Sequence, residues 1–353
     1  MYQISRKGKD LKGKINISGS KSESNRLLIL RAYTSYFNIL NISDSDDTKT
    51  VMDALESNNE EINIGHAGTA MRFLTSYYSS ISNSKKILTG SSRMKNRPIS
   101  LLVEALNELG CDIEYIDKIG YPPIKINGKL ISNTTVSLSA NISSQYISSL
   151  MMLGISLENG LKIKLSTKIT SLPYILMTKR IIERIGGSVQ INSNYIIIQQ
   201  LKSKNITDQN VESDWSSASY FFSLAALSNY CDITLSTFFI LCIQGDSKLV
   251  EIYKKLGVKT VFKENKIHLK KKKIKLPDKI SINLKDNPDL AQTIVITCLG
   301  LGVDCTLSGL HTLKIKETDR LLALKKEIEK FDVDSVKITE ESIELRNSSN
   351  LKS

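Results

Sequence analysis

Gly19-Ser20-Lys21-Ser22-Glu23-Ser24-Asn25-Arg26 runs directly into the apolar Leu27, Leu28 and Leu30. A serine-rich turn that opens a helix leaves backbone N–H groups without partners, and here two cations, Lys21 and Arg26, stand beside them. The chemistry such a stretch can do is to hold an anion, a phosphate or a carboxylate. A helix dipole supplies only about 0.3–1 kcal/mol, so further cations and donors must come from elsewhere in the chain. The spacing is not that of a Walker A loop. Taken alone, the stretch is equally readable as a capped surface helix.

The elements that would position it recur. Helices with a polar start and an apolar body are expected at Gly68-Thr69-Ala70-Met71-Arg72-Phe73-Leu74, at Ser143-Ser144-Gln145-Tyr146-Ile147, at Asp214-Trp215-Ser216-Ser217-Ala218-Ser219-Tyr220-Phe221 and at Pro288-Asp289-Leu290-Ala291-Gln292-Thr293-Ile294. A helix apolar all round is buried. A second kind, amphipathic and stopped by glycine before a strand, recurs at 103–110, 181–186 and 251–257, with a looser copy at 321–330. The later copies repeat at roughly 70–76 residues, which implies several versions of one supersecondary unit. Pseudo-symmetry would bring the polar starts together. Capping explains Ser and Asp at those starts, but not Lys21, Arg26 and Arg72.

Composition bounds the partners. With 353 residues, two domains are expected, and 41% hydrophobic with 24% charged residues is ordinary for a globular protein. The net charge of +12 is spread diffusely and aromatics are only 6%, which argues against a nucleic-acid partner. Lys270 to Lys273 reads as a solvated strand end. The five cysteines lack C-x-x-C spacing and read as reduced core residues of a cytoplasmic protein. The three histidines, His66, His268 and His311, have no metal-ligand spacing, so neither metal nor cofactor is expected. Met1 to Gly19 has no apolar core of signal-peptide length, and no apolar run is long enough to span a membrane.

Eight motifs now stand in order: GSKSESNR (19–26), HAGTAMR (66–72), SRMKNRP (92–98), SSQY (143–146), SDWSSASYF (213–221), QGD (244–246), PDLAQTI (288–294) and KETDR (316–320). Together they resemble the 5-enolpyruvylshikimate-3-phosphate (EPSP) synthase family, over essentially the whole chain. The resemblance implies an α/β fold of two domains, an inside-out α/β barrel of repeated βαβαββ units around buried helices. Residues 1–20 and 211–353 would form the first domain and 21–210 the second, with the substrates in the cleft between them. It implies transfer of the enolpyruvyl group of phosphoenolpyruvate to the 5-hydroxyl of shikimate 3-phosphate, with release of phosphate, by a cytoplasmic monomer.

By the same resemblance Lys21 touches both substrates. Ser22, Arg26, Ser143, Ser144, Ser171 and Lys316 hold shikimate 3-phosphate, with Tyr174 nearby, and Gln145 contacts both ligands. Gly68, Arg97 and Arg320 hold phosphoenolpyruvate. Asp289 hydrogen-bonds the attacking hydroxyl, Glu317 handles protons near the methylene carbon, and Lys21, Asp289 and Glu317 are the catalytic set. Such residue types suit the reaction: cations offset the repulsion of two anions, and an acid and a base exchange roles.

The departures are His66 where the family more often has Asn, a first unit shortened between Ala54 and Gly65, an apolar 238–243 before QGD, and the end. Five of six buried-helix units are expected here, without the family's N-D-H-R segment and final lysine-bearing loop. The alternatives are an inactive remnant or fragment of this enzyme, the related UDP-N-acetylglucosamine enolpyruvyl transferase, and a basic RNA-binding protein. GSKSESNR and KETDR favour shikimate 3-phosphate over the nucleotide sugar.

Overall fold

The computed structural model describes residues 10–34, 37–139, 143–167, 169, 171–202, 206–316, 318–331 and 336–346. The chain divides into two compact domains, the first Met1–Ser18 with Glu212–Ser353 and the second Gly19–Val211. The junctions expected at 20/21 and 210/211 thus stand at 18/19 and 211/212.

The second domain holds helices α1 (Lys21–Tyr33), α2 (Asp46–Glu56), α3 (Gly68–Ser80), α4 (Ser100–Glu108), α5 (Ser144–Gly154) and α6 (Leu172–Arg184). Helices α1, α3 and α5 pack against one another in its centre. Leu27, Leu30, Phe73, Leu74, Ile147 and Leu150 are fully buried there. Serines and threonines on these helices avoid stranding hydroxyls in the core by bonding back one turn, as Thr75 does to the Met71 carbonyl at 2.6 Å. The Glu23 carboxylate, wholly buried, is met by Arg184 of α6 at 2.7 Å.

Two sheets flank these helices. One joins Glu61–Asn63, Lys85–Thr89, Ile124–Asn127 and Asp112–Tyr115, in that spatial order. The other joins Thr135–Leu138, Leu161–Leu165, Tyr195–Ile198 and Val189–Ile191. In each, the first two strands are parallel around a buried helix and the last two form an antiparallel pair, which is one βαβαββ unit. A third unit is abbreviated: Ile39–Leu40 pairs parallel with the distant Gln209–Asn210, and α2 leads straight on to the next unit. Its helix α2 escaped the sequence reading, although Ser45 caps it and Val51 and Ala54 lie buried on one face.

The first domain repeats the pattern with α7 (Trp215–Leu227), α8 (Leu249–Lys254), α9 (Ala291–Leu301) and α10 (Arg320–Glu329). Its sheets run Asp10–Ile15, Tyr230–Ser236, Lys266–Lys271, Val258–Lys263 and Lys279–Asn283, Asp304–Ser308, Ile343–Leu345, Val336–Ile338. Trp215 anchors this core edge-on to Phe238 at 4.8 Å, and Tyr253 reaches Thr297 at 2.9 Å. All five cysteines are free thiols.

The sheets are separate, in keeping with the inside-out construction expected. Two expectations change. Helix α7, expected to be buried all round, carries Tyr220, Leu224 and Leu227 exposed along one face; it packs against α9 and α8. The Lys270–Lys273 run is not wholly solvated, because Lys271 donates to the Ala226 carbonyl at the end of α7. The glycine stops hold: Gly110 and Gly186 have φ of 100° and 93°, where a side chain would be strained.

Phe73→Ala, which empties a fully buried site on α3, is expected to cost the second domain about 3–5 kcal/mol in urea unfolding. Tyr220→Ala on the exposed α7 face should change stability by no more than about 0.5 kcal/mol.

Candidate active site

In the second domain four helix starts are tied together. Ser20 caps α1, and Lys21, the first residue of that helix, is partly exposed and lies 3.5 Å from Asp47 of α2. Ser143 caps α5 through the Gln145 N–H at 3.3 Å. The Gln145 amide in turn donates to Thr69, at the start of α3, at 3.3 Å. Ser171 caps the backbone of α6 in a left-handed conformation, φ 53°, and its hydroxyl makes no capping bond. A strained serine that leaves its hydroxyl uncommitted is a feature of ligand clamps.

Arg26 is the tie among three of these starts. It is buried, and its guanidinium donates to Thr178 at 2.7 Å, to Ser148 at 3.1 Å, to the Tyr174 carbonyl at 3.5 Å and to the Ser22 carbonyl at 2.7 Å. Burial lowers its pKa from 12.5 to about 10, still charged at neutral pH. The charge is spent on joining α1, α5 and α6.

Gly68 opens α3 with no side-chain cap. A Cβ at this position would stand 2.5 and 2.8 Å from the terminal nitrogens of Arg97, so only glycine lets that guanidinium lie against the helix start. Arg97 follows the turn Met94–Asn96, which Ser91 holds by accepting the Met94 N–H. Ser91 is in turn bonded to His66 at 2.8 Å. The histidine that departs from the family pattern therefore braces the loop carrying Arg97. The second domain thus presents Lys21, Arg97 and open helix starts, a set suited to phosphate and carboxylate.

The first domain has the opposite arrangement. Asp289, in the turn Pro288–Leu290 ahead of α9, is met by Arg320 at 2.8 Å and by Lys316 at 3.7 Å. Three expected site residues are thereby assembled around one carboxylate. Glu317 lies outside the described residues. Asp246, in the QGD motif, carries no role by the resemblance. It is buried, accepts from Ser216 and from Asn287, and is raised to about 7, first by burial and next by the charge of nearby Asp289. Buried Glu212 gathers the Trp215 indole, the Phe239 N–H, Gln244 and the Cys242 thiol, and burial raises its pKa as well.

With this geometry in hand, comparison decides the family. Residues 5–58 and 55–353 match the family model described as EPSP synthase (3-phosphoshikimate 1-carboxyvinyltransferase). The chain belongs to the EPSP synthase family. A 3-phosphoshikimate 1-carboxyvinyltransferase of Bacteroides fragilis is 44% identical over 322 residues, covering 91% of this chain and 78% of the relative. One from Colwellia psychrerythraea is 33% identical over 355 residues, covering 92% and 82%. The solved EPSP synthase of Acinetobacter baumannii superposes with a TM-score of 0.71 at 20% identity, over 97% of this chain and 83% of that one. The fold is that of EPSP synthases, two domains of inside-out α/β construction. Among the described residues no helix is long and apolar enough to cross a membrane.

Asp246 generates a pH dependence. Its folded pKa, about 7, lies above the ordinary 3.8. The folded chain therefore keeps a proton that the unfolded chain gives up across this interval, and stability falls as pH rises from about 4 to 7. Urea midpoints measured across that range should fall for the natural chain and fall less for Asp246→Asn; equal slopes would show that Asp246 does not carry the effect.

Proposed function

We propose that this chain transfers the enolpyruvyl group of phosphoenolpyruvate to the 5-hydroxyl of shikimate 3-phosphate, releasing inorganic phosphate. The observation that supports the reading is that Arg26 and Gln145 link α1, α3, α5 and α6 at or near their starts, where Lys21, Ser22, Ser143, Ser144, Gln145 and Ser171 stand in the sequence. Membership of the EPSP synthase family supports it.

Both substrates are multiply charged anions. At about 4 Å and an effective dielectric constant near 20, two like charges repel by about 4 kcal/mol, so bringing them together without fixed cations is prohibitive. Lys21 serves both ligands in this reading. Ser22, Ser143, Ser144, Ser171 and Lys316 hold shikimate 3-phosphate, and Arg26 acts by fixing the Ser22 backbone. Gly68, Arg97 and Arg320 hold phosphoenolpyruvate, and Gln145 contacts both. Until substrate arrives, Arg320 and Lys316 neutralise Asp289.

Bond formation follows from these assignments. The 5-hydroxyl oxygen bonds to C2 of phosphoenolpyruvate and gives its proton to Asp289, while C3 takes a proton from the pair Lys21 and Glu317. The same groups then work in reverse: a proton leaves C3, the C2–C3 double bond re-forms, and phosphate departs from C2. No oxidant and no cofactor is needed to balance the step. As part of this reading the protein works as a cytoplasmic monomer on two small anions, without nucleic-acid or membrane partners.

Phosphate release by the purified chain, measured with and without shikimate 3-phosphate, tests the proposal. Release is expected only with both substrates, and Lys21→Ala or Asp289→Asn should lower it by about 100-fold or more while leaving the circular dichroism unchanged. Release that ignores shikimate 3-phosphate, or that survives both substitutions, would refute it.

A further inference from the structure

We infer that Arg72, which the reaction described above leaves without a role, is a positioning residue that sets the distance between the two elements holding phosphoenolpyruvate in the second domain; the inference rests on that functional reading. Arg72 sits one turn into α3 and is 4% exposed. One terminal nitrogen donates to the Gly68 carbonyl at 3.2 Å, and the other to the Pro98 carbonyl at 3.0 Å. Gly68 opens the helix, and Pro98 directly follows Arg97. The fork of Arg72 thus joins the backbone on either side of the place where the Arg97 guanidinium lies against Gly68.

The third element at this place is the start of α5. The Tyr146 hydroxyl donates to the same Pro98 carbonyl at 2.6 Å, and its ring lies 5.9 Å from the Arg72 guanidinium carbon. Ser149 donates to the Arg72 carbonyl at 2.8 Å. Helix α3, the Arg97 loop and α5 therefore meet on one buried cation.

Stability alone does not account for that cation. Its contacts are two carbonyls, the Met94 sulfur at 3.7 Å and a ring, with no carboxylate among the described residues. Its Nε–H has no acceptor among the described residues either. A buried charge without a counter-charge and with an unmet donor is unfavourable, and an apolar side chain would fill the space at lower cost. What an apolar residue cannot do is span two carbonyls with a rigid planar fork, and lysine, a single flexible ammonium, does so poorly. The uncompensated charge also adds to the positive field beneath the open start of α3.

The test compares Arg72→Lys, Arg72→Met and Tyr146→Phe with the unaltered chain, measuring KM for each substrate, the dissociation constant of shikimate 3-phosphate alone, and the thermal midpoint. Arg72→Lys is expected to raise KM for phosphoenolpyruvate about tenfold while shikimate 3-phosphate binding stays within about twofold. Tyr146→Phe, which keeps the arginine and removes only the second donor to Pro98, should raise the same KM by about threefold. Arg72→Met should exceed both. If Arg72→Lys behaves as the natural chain, or if both substrates weaken in step with a fallen thermal midpoint, the residue is merely structural and the inference fails. If Arg72→Lys and Arg72→Met do not fold, an unchanged KM for phosphoenolpyruvate in Tyr146→Phe overturns it. A folded natural chain with no shikimate-3-phosphate-dependent turnover overturns the functional reading, and this inference with it.

Discussion

A helix surrounded by protein can satisfy its backbone everywhere except at its two ends; at the first turn it is the N–H groups that have no partners within the helix. Helices α1, α3 and α5 are surrounded in this way, so their starts must be capped, wetted or offered to a ligand. Ser20 and Ser143 cap two of them with their side chains. Gly68 does not, and Ser171 opens the neighbouring α6 without using its hydroxyl. The incomplete capping stands beside Lys21 and Arg97, and unpaired N–H groups next to cations are what an anion favours.

The two domains divide the electrostatic work. The second keeps cations that carboxylates do not fully absorb: Arg72 meets none among the described residues, and Arg26 is spent on hydroxyls and carbonyls. The first keeps a carboxylate, Asp289, held by two cations, and beside it a second carboxyl, Asp246, whose pKa burial raises to about 7. Anion binding needs fixed positive charge, and proton transfer needs a carboxylate whose surroundings control its ionisation. The sequence-distant repeats supply the two requirements from one supersecondary plan.

Much of that plan was legible from local signals. The apolar bodies of three buried helices and the glycine stops at Gly110 and Gly186 are encoded within a turn or two of sequence: the helix read from Gly68 starts there, while those read from Ser143 and Pro288 start at Ser144 and, after a short turn, at Ala291. Helix α2 was missed because its buried face is narrow, and its start lies among aspartates that read as loop. The types and order of the candidate residues were legible, but their surroundings were not. GSKSESNR announces an anion site, yet nothing local reveals that Arg26 turns inward to Thr178, 152 residues away, or that Asp246 neighbours Asp289. The exposed α7 face was misread for the same reason: hydrophobicity says what a helix could bury, and only the tertiary structure says against what.

The central claim is that the starts of α1, α5 and α6, whose first-turn N–H groups are capped only in part, bind shikimate 3-phosphate, and amide hydrogen exchange reads those starts directly. Their unpaired N–H groups should exchange fast in the free chain and slow down when a ligand accepts them. With shikimate 3-phosphate added, protection is expected at 20–26, 143–146 and 171–174, with little change along the sheet Lys279–Asn283, Asp304–Ser308, Val336–Ile338 and Ile343–Leu345. Unchanged exchange at those three starts, at a ligand concentration that saturates any binding seen by calorimetry, would contradict the account.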